Sequence, residues 1–237
     1  MKRLSLTVLL LFAAVVAVAQ TAPAPTAQNG AGEGELNSVL AKMNANAGNF
    51  KSAQADFEFE TYQKVVDEKD LQKGHIYFRR SGKGVEAAFN ITSPALKQVV
   101  FNGNEVVMCE PKIDQCTKRD VSRNKADVEA FLSLGFGARG DDLQKSYEVS
   151  LGGWEPVEGV RTARLELVPK NEKLRQTYSK IILWIDPEKD ILLQQKFIEP
   201  SQDYRLTRYS NMKVNGRLPD DAFRLKTTGN TKIVKSQ

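Results

Sequence analysis

The chain has 237 residues, 41% of them hydrophobic and 27% charged, with 34 Lys and Arg against 29 Asp and Glu. The charges are interspersed, and no basic stripe carries interleaved aromatics, which argues against nucleic-acid binding. One histidine and two cysteines leave no ligand cluster for a metal, and histidine-based acid, base or nucleophile chemistry would rest on His75 alone.

Residues 1–19 read as a secretory signal peptide. Lys2 and Arg3 precede an apolar run from Leu4 to Val18, and Ala17-Val18-Ala19 is a small-x-small cleavage site. A transmembrane anchor is the rival reading, but the run is short for the roughly 20 residues a bilayer needs. Cleavage after Ala19 removes two cations, so 34 − 2 = 32 basic residues would face 29 acidic ones. No Cys follows the apolar run, so the mature protein is not expected to be a lipoprotein itself. Residues 20–34, "QTAPAPTAQNGAGEG", are small and polar and are expected to form a flexible lead. The folded part is expected to be one domain over 35–237.

Glu35 to Ala47 is predicted as a helix, with Leu36, Val39, Leu40 and Met43 on one stripe. The period then changes to two. "SAQADFEFETYQ", "GHIYFRR", "GVEAAFNI", "KQVVFNGNEVVMCEP" with its Asn-Gly hairpin, and "QCTKRDV" read as successive strands. Asn124 to Leu134 is a second predicted helix, and "GFGARGDD" stops it. Strands resume at Ser146–Leu151, Arg161–Val168, Tyr178–Asp186, Ile191–Glu199 and Tyr204–Val214, and "DAFRLKTTG" and "TKIVK" close the chain.

Local turns between successive strands predict a mainly β (α+β) fold with an antiparallel sheet. About eleven strands should curl into an unclosed barrel. Alternation leaves one face apolar, and the two amphipathic helices are its obvious cover, as a lid over an apolar cavity.

Three local patterns have specific readings. A two-residue tip at Lys112-Ile113 would set Cys109 opposite Cys116, close enough for a disulfide in an exported protein. "GFGARG" matches G-x-G-x-x-G, but a helix precedes it where a phosphate loop needs a strand, so it reads as a helix stop. In "GHIYFRR" the apolar face Gly74, Ile76, Phe78 ends in Arg80. That guanidinium either snorkels to water at the rim or meets orphan carbonyls of a lid.

The series "KGHIYFRRSGKGVEAAFNITSPALKQVVFNGNEVVMCEPKIDQCTKRDV", then "LELVPK", "IILWID" and "LPDDAFRLKTTG", resembles the outer-membrane lipoprotein carrier proteins, LolA, in order and spacing. It departs from that pattern at Arg80-Ser81, where members have Arg-Pro, at Met108 and Cys109, where aromatics are usual, and at Thr227-Thr228-Gly229, where Pro-Pro-x-Gly is usual. The resemblance implies a periplasmic chaperone that takes acylated lipoproteins from an inner-membrane ABC transporter and passes them to an outer-membrane acceptor. No polar cluster suited to catalysis is visible, so no catalytic residue and no cofactor is expected, and a monomer is expected. The resemblance also gives Arg80 the latch role, bonded to backbone carbonyls of the lid.

On that footing the cavity wall is expected from Phe57, Phe59, Ile76, Phe78, Phe89, Ile91, Val100, Met108, Leu165, Leu167, Ile182, Trp184 and Phe197. Leu36, Leu40, Met43, Phe131 and Leu132 are expected to face it from the helices. Ordinary core packing is the alternative for each. A carrier or sensor of free lipid or glycolipid on the same fold is the other functional reading.

Overall fold

The computed structural model describes residues 29–236, apart from 83, 135 and 190. The expected signal peptide and the lead as far as residue 28 lie outside the described residues. Helix α1 spans Asn29–Ala47. It starts before the expected Glu35 and takes in residues 29–34 of the expected flexible lead. Val39, Leu40 and Met43 are buried along one stripe of it.

Two meanders of antiparallel strands follow from the period-two pattern. The first comprises β1 (Ser52–Gln63), β2 (Glu68–Ser81), β3 (Gly84–Ser93), β4 (Lys97–Phe101), β5 (Glu105–Glu110) and β6 (Gln115–Asp120). The second comprises β7 (Tyr147–Val157), β8 (Val160–Pro169), β9 (Lys180–Asp186), β10 (Ile191–Ile198) and β11 (Tyr204–Val214). Between the meanders lie α2 (Lys125–Ser133) and a short α3 (Gly140–Ser146), and α4 (Glu172–Thr177) interrupts the turn from β8 to β9. The sequence pattern predicts neither α3 nor α4.

All strands join one sheet in the order β12-β6-β5-β4-β3-β2-β1-β11-β10-β9-β8-β7, where β12 is Lys232–Ser236. The single ladder between β1 and β11 unites the meanders, pairing Phe57 with Tyr209 and Phe59 with Thr207. β7 and β12 form the two ends of the sheet and do not pair with each other among the described residues, so the barrel is unclosed, as expected.

The twelfth strand corrects one detail. β12 lies parallel to β6, with Ile233 beside Cys116. After β11 the chain crosses the outer face of the sheet and returns in the direction of β6. Gln98 of β4 holds this crossing. Its side-chain amide donates to Arg224 O at 2.9 Å and accepts from Lys226 N at 2.9 Å. Gln98 is buried, and the paired bonds satisfy both ends of its amide.

Cys109 and Cys116 face each other across β5 and β6 and are joined by a disulfide, Cα–Cα 4.0 Å. The turn between them is one 3₁₀ turn, Pro111–Ile113, followed by Asp114 in the left-handed region, rather than a two-residue tip. The pair is buried on the outer face with Val107, under Leu225 of the crossing segment.

Candidate functional site

The inner face of the sheet is an apolar wall set by the strand register. Ala53, Ala55 and Phe57 of β1 stand opposite Phe78, Ile76 and Gly74 of β2. Beyond them come Ala87 and Phe89 of β3, then Phe101 and Val99 of β4, then Val106 and Met108 of β5. On the other wing Ala163, Leu165 and Leu167 of β8 pair with Ile185, Leu183 and Ile181 of β9, and Ile181 with Phe197 of β10.

Three expected wall residues are on the other side. Val100 pairs with Ala88 and Val107, in the phase of the outer face. Ile182 lies between Glu166 and Lys196, and Trp184 between Arg164 and Gln194. The Trp184 indole donates to Glu155 Oε2 at 2.6 Å. The long polar side chains beside Ile182 and Trp184 bury them, not the lid. The physical reason for the difference is the same in both strands. Val99 to Phe101 and Ile181 to Ile185 are apolar at every position, so the sequence does not reveal their phase.

The helices cover the inner face unequally. α1 packs on β7 and α3, and α2 packs on β3. Asn44 of α1 and Asp141 of α3 exchange two hydrogen bonds, at 2.7 and 3.1 Å. Gly140 lies against α1 so closely that a Cβ there would stand 2.7 Å from Leu40 O. Leu36 is half-buried, and Leu40 and Met43 are buried in the core.

After α2 the chain turns and inserts Phe136 into the interior. Its ring stacks on Phe78 at 5.5 Å between centroids and meets Tyr209 edge-on at 5.3 Å. Phe50 also packs on Phe78, at 5.7 Å. The expected open hollow over Phe78 is therefore filled by lid aromatics. The apolar surface that stays accessible lies at the mouth. Phe59, Phe89, Ile91 and Met108 are half-buried there, with Leu132. Phe131 is 37% exposed and packs, tilted, on Phe197 at 4.9 Å between centroids.

Arg80 connects wall and lid. Its Nη1 donates to Gly137 O at 3.3 Å, one residue beyond Phe136. The guanidinium carbon lies 5.8 Å from the Phe50 ring. Gly137 has φ +65°, and a Cβ there would meet Phe50 at 2.5 Å, so only glycine presents its carbonyl in this way. The "GFGARG" glycines thus serve close packing: Gly137 under Phe50 and Gly140 under α1, while Gly135 is outside the described residues.

The wall is polar where β10 meets β11, at Gln195, Thr207 and Tyr209. Tyr209 is buried, which pushes its phenol well above the usual range, and its oxygen accepts from Gln195 Nε2 at 2.7 Å. His75 lies on the outer face, where its Nδ1 is 2.6 Å from Asp56 Oδ1. No cluster of His, Cys, Asp and Glu fit to hold a metal ion occurs among the described residues.

The sequence matches the family described as "Outer membrane lipoprotein carrier protein LolA" over residues 48–226. The chain belongs to the LolA family. No curated protein matches its sequence significantly. Among solved structures, an uncharacterized conserved protein from Thermus thermophilus is similar, with TM-score 0.55, 10% identity, and cover of 85% of this chain and 99% of that one. The lipoprotein LppX of Mycobacterium tuberculosis is similar with TM-score 0.51 and 12% identity, over 77% of this chain and 98% of LppX. MucB is similar with TM-score 0.52 and 14% identity, over 85% of this chain and 66% of MucB. At these identities the likeness is one of fold.

The LolA match spans all of the first eleven strands, α2 and α3, hence the wall, Arg80 and the Gly137 carbonyl. Four residues of the site do not stand out in the sequence: Phe50, Phe136, Gly137 and Tyr209. A lone aromatic between two glycines is the available sign for Phe136 and Gly137.

Proposed function

We propose that this LolA-family protein is a periplasmic chaperone that shields the acyl chains of lipoproteins and carries them from the inner to the outer membrane. The observation that carries the reading is the Arg80 bond to Gly137 O, because it ties a wall strand to the loop that places Phe136 in the interior. An acyl chain of about sixteen carbons costs on the order of 12 kcal/mol to expose to water, at about 0.8 kcal/mol per CH₂. Free diffusion between membranes is therefore negligible, and a carrier must offer an apolar wall.

The wall must also be covered when nothing is carried, since a large exposed apolar patch invites association. Phe136, Phe50 and Phe131 provide the cover. Acyl chains entering at Phe59, Phe89 and Ile91 displace the aromatics and break the Arg80 bond. Desolvation of the guanidinium keeps the covered arrangement from being too stable to open. Donor and acceptor would be an inner-membrane lipoprotein-releasing ABC transporter and an outer-membrane lipoprotein acceptor, with the carrier a monomer. The binding of an acyl chain needs no catalytic group and no cofactor.

The test is release from spheroplasts making a labelled lipoprotein. Label recovered in the supernatant as a stoichiometric complex is the expected result. Arg80→Leu should accept the lipoprotein and deliver it more slowly to outer-membrane fractions; delivery at the normal rate would remove the latch from the mechanism. Absence of release, with free lipid found in the purified protein by mass spectrometry, would favour a carrier of free lipid or glycolipid on the same fold.

A further inference from the structure

Beneath the segment that leaves β11 there is a cavity of about 570 Å³ at the rim of the sheet. The charged side chains of its lining are Lys51, Arg79 and Arg224, against one carboxylate, Asp220, with the ring of Phe223 beside them. Three cations minus one anion leave a lining charge of +2 (3 − 1). Arg79 is partly answered by Glu86, to which its Nε donates at 2.7 Å, and it lies over Phe223 at 4.6 Å. Lys51 and Arg224 have no side-chain ion pair among the described residues.

The cavity is built rather than incidental. Asn215 fixes its entrance, accepting from Lys51 N at 2.7 Å and donating to Asn49 O at 2.9 Å, while Ser52 Oγ donates to Gly216 O at 3.1 Å. Gln98 fixes the far end through Arg224 O.

We propose that this cavity binds a phosphate group on a small organic stem, the chemistry shared by an anionic phospholipid headgroup and a soluble glycerol phosphate. Arginine forks match phosphate oxygens two at a time, and a cluster of like charges is relieved by an anion. Phe223 gives the organic stem an apolar face. The Arg80 guanidinium is turned the other way, to Gly137 O on the inner face, so the anion site is separate from that bond.

The experiment titrates the purified protein with glycerol 1-phosphate in a calorimeter and, in parallel, follows uptake of a fluorescent fatty-acyl probe. Binding should weaken about tenfold or more in the Lys51→Gln, Arg224→Gln double variant, and fall as salt is raised. Asp220→Asn should tighten binding, a gain that damage to the fold would not produce. Heat-free titrations of the parent protein, or equal affinity in parent and double variant, would overturn the site. Binding of glycerol phosphate with no probe uptake under any condition would sink the carrier reading and leave the cavity standing. Co-sedimentation with phosphatidylglycerol vesicles, but not phosphatidylcholine ones, would identify the headgroup as the source; glycerol phosphate binding without co-sedimentation would identify the soluble one.

Discussion

The two meanders share one sheet but are packed differently. On the β8 and β9 side, Leu165, Leu167, Ile181 and Leu183 are fully buried, at 0% exposure, in one core with α1 and α3. On the β1 to β5 side, Phe59, Phe89, Ile91 and Met108 are only half-buried. Both walls are apolar in sequence, so composition does not explain the difference. The cover does: α1 and α3 are bound to each other through Asn44 and Asp141, whereas α2 touches the sheet at β3 and leans Phe131 across the mouth. One wing is buried throughout, while the other is buried at Ile76, Phe78 and Ala87 and accessible toward Phe59, Phe89 and Ile91.

If that division holds, mutations should separate stability from acyl binding. Leu183→Ala should lower stability the most, by about 2–5 kcal/mol, because it opens a cavity in a fully packed site. Urea unfolding measures it, and acyl-probe affinity corrected to the folded fraction should not change. Gly137→Ala should cost about 1–3 kcal/mol, since alanine at φ +65° is strained and its methyl meets Phe50. It should also speed probe uptake, because Phe136 loses its seat; unchanged uptake would show that the loop is not the cover. Phe89→Ala should cost about 1 kcal/mol in unfolding, being half-buried, yet weaken probe binding more than Leu183→Ala does. If the two variants affected binding equally, the distinction between wings would fall.

The smallest effect concerns Asp56 and its neighbours on the outer face, which should be bystanders to acyl binding. The Asn211 hydrogen bond, more than the His75 contact, holds the Asp56 carboxyl below its usual range. A depressed carboxylate stabilises the fold above its unfolded pKa and loses that contribution as pH falls through the lowered value. Asn211→Ala should therefore move the Asp56 titration upward in an NMR pH series and slightly reduce stability near neutrality, without altering probe uptake.

Much of the fold is legible in the chain. Period-two runs such as "SAQADFEFETYQ" identify both strand and face, because only every second residue is apolar, and Phe57, Ile76 and Phe78 fall on the wall accordingly. "KIILWID" has no such alternation, so the expectation that places Ile182 and Trp184 on the wall fails; the ladder to β8 decides the face. α3 is invisible in the sequence because "GDDLQKS" carries one large apolar residue, Leu143, and seven residues are too few for a helical period. The burial of Phe136 depends on Gly137 and on Phe50, which is far away in sequence, so no local pattern reveals it. The parallel β12 depends on a crossing segment anchored by a glutamine in β4.

That crossing has a consequence for biogenesis. β6 receives its second neighbour only when β12, residues 232–236, arrives. Synthesis delivers the amino terminus first, so β6 is a bare sheet edge with unpaired amides for as long as the segments after it are still to be made. Such an edge is a template for pairing with another chain. Lys118 and Arg119 lie on it, and their charge discourages that pairing until β12 closes over it.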